Sequence, residues 1–331
     1  MFARAHASHI EIPASDIELG RELQRGGMGA VHMGNWLGVA VAVKTITDPS
    51  KQEALLREAD LLASLRHPCI CQFFGATLID GTLAMVMELL ECSLHELIAQ
   101  SSTRIPVALC LRLAHETAQG IAYLHRNNVL HRWERTIVRK YEATTLYLLT
   151  YFDASFLHRD IKPSNVVLDK LRHAKVCDFG LSKPYTLSKE LLGDLSYLLE
   201  SDAPNSTRSP TSSANSANSA NSTYAVGTLR YMAPEVVQNT DEVVKIRYNA
   251  PSDVYSFGIL LWALAHRETP FAGVDGVQVA IKVAPSGQRP PLQLPTGLEA
   301  LGPLIASCWH RDPDQRPPMS VCAERLRALD C

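Results

Sequence analysis

His158-Arg159-Asp160-Ile161-Lys162-Pro163-Ser164-Asn165, followed thirteen residues after the asparagine by Asp178-Phe179-Gly180, is the stretch that decides how this chain is read. A phosphoryl-transfer site needs a carboxylate that orients a hydroxyl nucleophile and accepts its proton. It needs a cation beside the moving phosphoryl group, and an amide with a second carboxylate to hold Mg2+. Asp160, Lys162, Asn165 and Asp178 supply that set in a workable order and spacing. A lone triplet from this string means little, whereas the full string at this separation is specific.

The flanking segments carry the other parts of such a site. Leu23-Gln24-Arg25-Gly26-Gly27-Met28-Gly29-Ala30-Val31 lies between two apolar stretches that read as strands, Ile17 to Leu23 and Ala30 to Met33. A glycine-rich strand-turn-strand lets backbone N–H groups approach phosphates without side-chain obstruction. Val41-Ala42-Val43-Lys44 follows, an apolar strand ending on a lysine whose burial is costly unless it is paired. From Lys51 to Leu65, Leu55, Leu56, Ala59, Leu62 and Leu65 recur at helical spacing and predict one apolar helix face. Two later strands are expected, through Phe73-Phe74 and through Ala84-Met85-Val86-Met87.

Together these strings resemble a protein kinase, from about Ile17 to Leu329. The resemblance implies an α+β, bilobal fold with a small β-rich N-lobe carrying helix C and a large, mainly helical C-lobe. It implies that Asp160 is the catalytic base, that Lys162 steadies the phosphoryl group, and that Asn165 and Asp178 hold Mg2+. ATP would lie under the lid from Leu23 to Val31, against Ala42, with Lys44 on its α/β-phosphates. Glu58, preferred to Glu53, would pair with Lys44. Met87 matches the gatekeeper, and Glu88 and Leu90 match hinge positions whose backbone groups bind adenine. Gln24 departs from the family pattern, which has glycine there, and implies a stiffer lid.

Further downstream, Gly227-Thr228-Leu229-Arg230-Tyr231-Met232-Ala233-Pro234-Glu235 resembles the close of an activation segment, with Arg316 as the expected partner of Glu235. Asp253, in Ser252-Asp253-Val254-Tyr255-Ser256-Phe257-Gly258, is expected to brace the catalytic loop. These strings, with Gly34-Asn35-Trp36-Leu37-Gly38, are similar to the tyrosine-kinase-like group, most of whose members phosphorylate serine and threonine. Lys162 and Thr228 fit that hydroxyl specificity. The resemblance also implies a protein substrate. Activity is expected to depend on a phosphate facing Arg159, with Ser222 and Thr223, which suit autophosphorylation, as leading sites, while Ser209-Pro210 suits an upstream proline-directed kinase. A nucleotide-binding scaffold without transfer is the rival class, which the complete set of catalytic residues disfavours.

Composition sets limits. At 331 residues and 46% hydrophobic content, one two-lobed domain over 17–329 takes nearly the whole chain, and no added interaction domain is expected. Residues 1–16 read as a short flexible leader. A net charge of −2 gives no reason to expect nucleic acid or a membrane surface as partner. No apolar run approaches transmembrane length, and the N-terminus lacks a signal-type apolar stretch. The eight cysteines lack zinc-type spacing and read as reduced thiols of a cytoplasmic protein. Among them, Cys177 would face the nucleotide pocket, where it is open to alkylation, although a small buried hydrophobe is its commoner role.

Two insertions interrupt the domain. Residues 201–223, nearly all Ser, Ala, Asn, Thr and Pro, have too little apolar surface to offset ordering entropy and read as disordered. Residues 133–159 are stranger: Leu130-His131-Arg132 is repeated by Leu157-His158-Arg159 before Asp160 arrives. Removing Trp133 to Arg159 joins Arg132 to Asp160 without a seam. An intron retained in frame and a genuine loop insertion both account for this, the second because long surface loops add little closure entropy.

Overall fold

The computed structural model describes residues 11–26, 29–46, 52–100, 105–126, 158, 160–178, 228–240, 243–246 and 249–329. The chain divides into two compact units, Met1–His158 with Pro163–Ser182 and Pro317–Cys331, and Arg159–Lys162 with Lys183–Arg316.

In the first unit, five antiparallel strands form a sheet in the order β1-β2-β3-β5-β4: β1 (Ile17–Gly26), β2 (Gly29–Trp36), β3 (Val39–Thr45), β4 (Phe73–Ile79) and β5 (Thr82–Glu88). Two hairpin tips have both turn residues at positive φ, Leu37-Gly38 at 50° and 89° and Asp80-Gly81 at 50° and 76°. This is the primed turn whose twist matches the flanking strands. Helix α1 (Gln52–Ser64) buries Leu55, Ala59 and Leu62, three of the apolar positions expected from its spacing. Of the leader expected to be flexible over 1–16, only residues 11–16 are described, and these depart from that expectation. Residues 11–16 are ordered against β4, where Ile12 donates its N–H to the Ala76 carbonyl at 2.8 Å. The Ile12 side chain joins Val41, Val43, Ala84 and Val86 in a buried cluster, with Trp36 and Phe74 packed against it. Ile10 and Ile12 alternate as on a strand, but Pro13 ends the alternation at once, and so short a pattern was passed over in the sequence.

The rest of this unit is mainly helical. A three-stranded sheet, β6 (Cys92–Ser93), β7 (Val166–Leu168) and β8 (Ala174–Val176), precedes or flanks the short helix α2 (Leu94–Ala99) and the long helix α3 (Val107–Arg126). Ser93 caps α2 through a reciprocal capping box with Glu96. Helix α3 passes so close to β8 that a Cβ at Gly120 would lie 2.7 Å from the Cys69 carbonyl oxygen and 2.8 Å from Val176. Only glycine fits that crossing.

The second unit contains the β9–β10 hairpin (Val237–Thr240 and Val243–Ile246), helix α4 (Ala250–His266) and helix α5 (Gly302–Cys308). Asn249 and Ser252 form a capping box at the start of α4, which also has proline in its first turn. Every residue of α4 from Ser252 to Ala265 is buried, as its nearly unbroken apolar sequence demands. Helix α6 (Met319–Leu329) returns to the first unit and packs on α3.

Candidate active site

Strand register determines which residues of the lid and sheet share a face. Val31 stands opposite Lys44, and Lys44 opposite Met85; in the next row Met33, Ala42 and Met87 are aligned. Because side chains alternate along a strand, Val31, Ala42, Lys44 and Met87 present one surface. Ala30 pairs with Thr45 and is buried on the opposite face, so its side chain is not on the expected nucleotide surface. Gln24 is registered with Val31, Arg25 with Ala30, and Gly26 with Gly29. Between Glu22 and Gln24 the register slips, which leaves Leu23 as the extra residue of a bulge. Gly27 and Met28 lie outside the described residues. Gly29 has a φ of 151°, and a Cβ there would fall 1.9 Å from the Thr45 carbonyl oxygen. Its lack of a side chain is therefore demanded by the β3 backbone, a constraint separate from phosphate binding.

Lys44 lies at the centre of the first unit's polar cluster. Its ammonium donates to both oxygens of Glu58 at 2.8 and 2.9 Å and to Asp178 Oδ1 at 3.4 Å. The Glu58 side chain is only 2% exposed, whereas that of Asp178 is 47% exposed. Burial acts against the lysine charge, but the carboxylates of Glu58 and Asp178 outweigh it and hold its pKa above the ordinary lysine range. Lys44 is thus a firmly charged cation at any physiological pH. Asp178 has a φ of 60°, a left-handed conformation that aspartate tolerates better than most residues. Asn165 is buried in the turn Pro163–Asn165, and its carbonyl accepts the Cys177 N–H at 2.8 Å. His158 is buried too, with Nε2 3.0 Å from the Cys177 carbonyl oxygen.

Glu88, expected at a hinge position, does more than the sequence suggests. Its N–H donates to the Gln72 carbonyl at 2.9 Å, and its carboxylate accepts the Gln72 N–H at 2.6 Å. The same carboxylate is 3.2 Å from Lys175 Nζ on β8. The side chain therefore ties the end of β5 to β8, while Leu90 follows half-buried in the connecting segment. Nothing in the local sequence of Glu88 signals this tie, because Gln72 and Lys175 are distant along the chain.

The second unit holds Asp160 and Lys162. Lys162 Nζ is 2.8 Å from Asp160 Oδ2 and donates to Thr228 Oγ1 at 2.7 Å. One cation thus links a buried carboxylate to the hydroxyl of the segment that follows residue 227. Behind them, Arg316 grips Glu235 with two hydrogen bonds of 2.6 and 2.9 Å and donates to the His310 and Pro251 carbonyls, both at 2.9 Å. Such a fully engaged fork is the arrangement that makes a buried arginine tolerable. Asp253 is buried in the first turn of α4. Arg159, Ser222, Thr223, Phe179 and Gly180 lie outside the described residues, as do residues 201–223.

Residues 134–325 match the protein kinase domain family, and residues 17–134 match the protein tyrosine and serine/threonine kinase family. The chain belongs to the protein kinase family. It therefore has the α+β protein kinase fold, in which α1 is helix C; members of this family use ATP and a divalent cation and act on proteins. The chain is 31% identical over 328 residues to a probable serine/threonine-protein kinase of Dictyostelium discoideum, covering 97% of this chain and 29% of that relative. It is 30% identical over 328 residues to the dual specificity protein kinase shkC of the same organism, covering 97% of this chain and 52% of the relative. The serine/threonine-protein kinase CTR1 of Arabidopsis thaliana is 29% identical over 328 residues, with 97% and 32% covered. The chain spans roughly a third of the length of the first of these curated relatives. No helix among the described residues is long and apolar enough to cross a membrane.

Proposed function

We propose that the chain is a protein serine/threonine kinase of the tyrosine-kinase-like group, transferring the γ-phosphoryl group of ATP to hydroxyls of a protein substrate. The observation that carries this reading is the chain of contacts from Asp160 through Lys162 to Thr228. A carboxylate that accepts a hydroxyl proton is held by a lysine which the segment expected to meet the substrate also engages. Asp160 orients the acceptor hydroxyl and takes its proton; Lys162 offsets the negative charge that accumulates as the phosphoryl group moves. Lys44, fixed by Glu58, clamps the α/β-phosphates.

The donors of Asn165 and Asp178 are hard oxygens, an amide and a carboxylate, which suit Mg2+ better than a soft metal. When bound, Mg2+ neutralises charge on the phosphate oxygens. The position of Asp178 beside Lys44 keeps its carboxylate oriented for that task. We infer a cytoplasmic protein that binds neither nucleic acid nor membrane, an upstream activating kinase as partner, and activation by a phosphate on Ser222 or Thr223 opposite Arg159. Phosphatase treatment that leaves activity unchanged counts against that last inference.

The reading is tested by incubating the chain with Mg2+, γ-labelled ATP and a generic serine/threonine substrate, beside the Asp160→Asn variant. Label on serine and threonine that is lost in the variant is expected. A wild type no better than the variant would identify a nucleotide-binding scaffold instead.

A further inference from the structure

The sequence suggests that Cys177 faces the nucleotide, but its thiol meets a different neighbour. Ile70 and Val176 form an isolated parallel bridge, with the Val176 N–H donating to the Cys69 carbonyl at 2.9 Å and the Cys71 N–H donating to the Val176 carbonyl at 3.0 Å. That register sets Cys71 directly opposite Cys177. In a parallel pair, registered side chains project from the same face, and adjacent strands stand about 4.7–4.9 Å apart. By that register the Cys177 thiol faces Cys71, and it also reaches the Lys175 carbonyl at 3.4 Å. Cys69 is engaged elsewhere, its thiol donating to Gln119 Oε1 at 3.6 Å.

We propose that Cys71 and Cys177 are a modification site, a dithiol that closes reversibly to a disulfide when a hydroperoxide oxidises it, and that closure withdraws Asp178 from its working position. One thiolate attacks the peroxide oxygen, giving a sulfenic acid and releasing water or an alcohol. The second thiol condenses with the sulfenic acid, forming the S–S bond and releasing water. Two thiols are oxidised by two electrons and one O–O bond is reduced. Cys177 is the half-buried member and reacts first; Cys71, 8% exposed, resolves it.

A disulfide needs a Cβ separation of about 3.5–4.5 Å, shorter than the spacing of parallel neighbours, so closure draws the segment before β4 and the end of β8 together. Asp178 follows Cys177 directly, the Cys177 N–H is bonded to Asn165, and Asp178 is 3.4 Å from Lys44. The pull therefore acts on both proposed Mg2+-binding residues.

The functional consequence rests on the kinase reading, but the bond does not. The reduced full chain is treated with hydrogen peroxide, digested without reduction and mapped by mass spectrometry; transfer is assayed before and after dithiothreitol. A linked Cys71–Cys177 peptide is expected. Transfer should fall by about tenfold or more, as displacement of a catalytic group by a fraction of an ångström allows, and return on reduction. Cys71→Ser should retain basal transfer and resist this reversible loss. Absence of the linked peptide, a bond to Cys69 in its place, or equal inactivation of Cys71→Ser overturns the proposal. A chain without transfer even when reduced overturns the kinase reading, and the mapped peptide alone then decides the dithiol.

Discussion

The paired charges around Lys44 make the obvious inactivating substitution harder to interpret than it looks. Lys44→Met removes the proposed phosphate clamp, and it also takes from the Glu58 carboxylate, 2% exposed, the cation that pairs with it. Breaking such a buried pair from one side costs about 3 kcal/mol or more. Lys44→Met should therefore lower both transfer and unfolding free energy, whereas Lys44→Met with Glu58→Gln should regain most of the stability. Both variants should keep less than about a tenth of wild-type transfer, a loss of at least about 1.4 kcal/mol of transition-state stabilisation. Denaturant titration beside the transfer assay separates the two effects, and a double variant that transfers normally would remove Lys44 from the site. Tyr255 poses the opposite case. Its ring stacks against the guanidinium groups of Arg289 and Arg316, 4.9 and 5.1 Å away, but its buried hydroxyl has no hydrogen-bond partner among the described residues. Tyr255→Phe keeps the ring and removes the unsatisfied group, so at pH 7 it should be neutral or stabilising by up to about 1 kcal/mol. Burial raises the phenol from 10.0 to about 12, against the opposing pull of the two arginines. Its contribution to stability is thus complete below pH 10 and lost as pH climbs towards 12. The advantage of Tyr255→Phe should widen across that interval, and a constant difference between pH 8 and pH 11 would contradict the burial argument.

Among the elements, the β2–β3 hairpin tip is at odds with its own sequence. Leu37 adopts a left-handed conformation, has 73% of its surface exposed, and precedes Gly38, whose N–H donates to Asn35 Oδ1 at 2.7 Å. A leucine gains nothing from such exposure and bears a steric cost of about 1–2 kcal/mol in that conformation. Leu37→Asn creates the Asn-Gly pair favoured in this turn and should raise stability by about 1 kcal/mol. Denaturant midpoints check this, and an unchanged or lowered midpoint would mean that something covers Leu37. Elements with a strong period were the legible ones: α1 was expected from Lys51 to Leu65 and runs from Gln52 to Ser64. The pairing of Lys44 with Glu58 was also legible, through the resemblance to the kinase family, whose pairing glutamate falls at this position of the helix. By contrast, Ile12 on β4, Glu88 on β8 and Cys71 beside Cys177 depend on contacts between segments distant in sequence. No local pattern encodes those contacts, and short bridges such as Ile70 to Val176 leave no alternation to detect.

For the molecule as a whole, the least settled question is which chain folds. The two family matches meet at residue 134, one residue after Trp133, where the stretch that ends on the repeated Leu157-His158-Arg159 begins. Apart from His158, residues 133–159 lie outside the described residues. His158 has a defined task, its ring held against the Cys177 carbonyl at 3.0 Å in a buried position. Deleting Trp133 to Arg159 brings His131 to the corresponding place before Asp160, so that contact can re-form without the repeat. A loop of this length adds only about 1–3 kcal/mol of closure entropy even when it contributes nothing else. The deletion variant should therefore unfold at an equal or higher temperature than the full chain and transfer phosphate at least as fast. If its midpoint or its transfer rate falls, the inserted residues contribute to the folded enzyme and the intron reading loses its physical basis. Sequencing transcripts across the junction tests origin directly: a dominant message without the codons for 133–159 is expected. A dominant message that keeps them, with matching peptides detected by mass spectrometry, would make this segment a genuine part of the kinase.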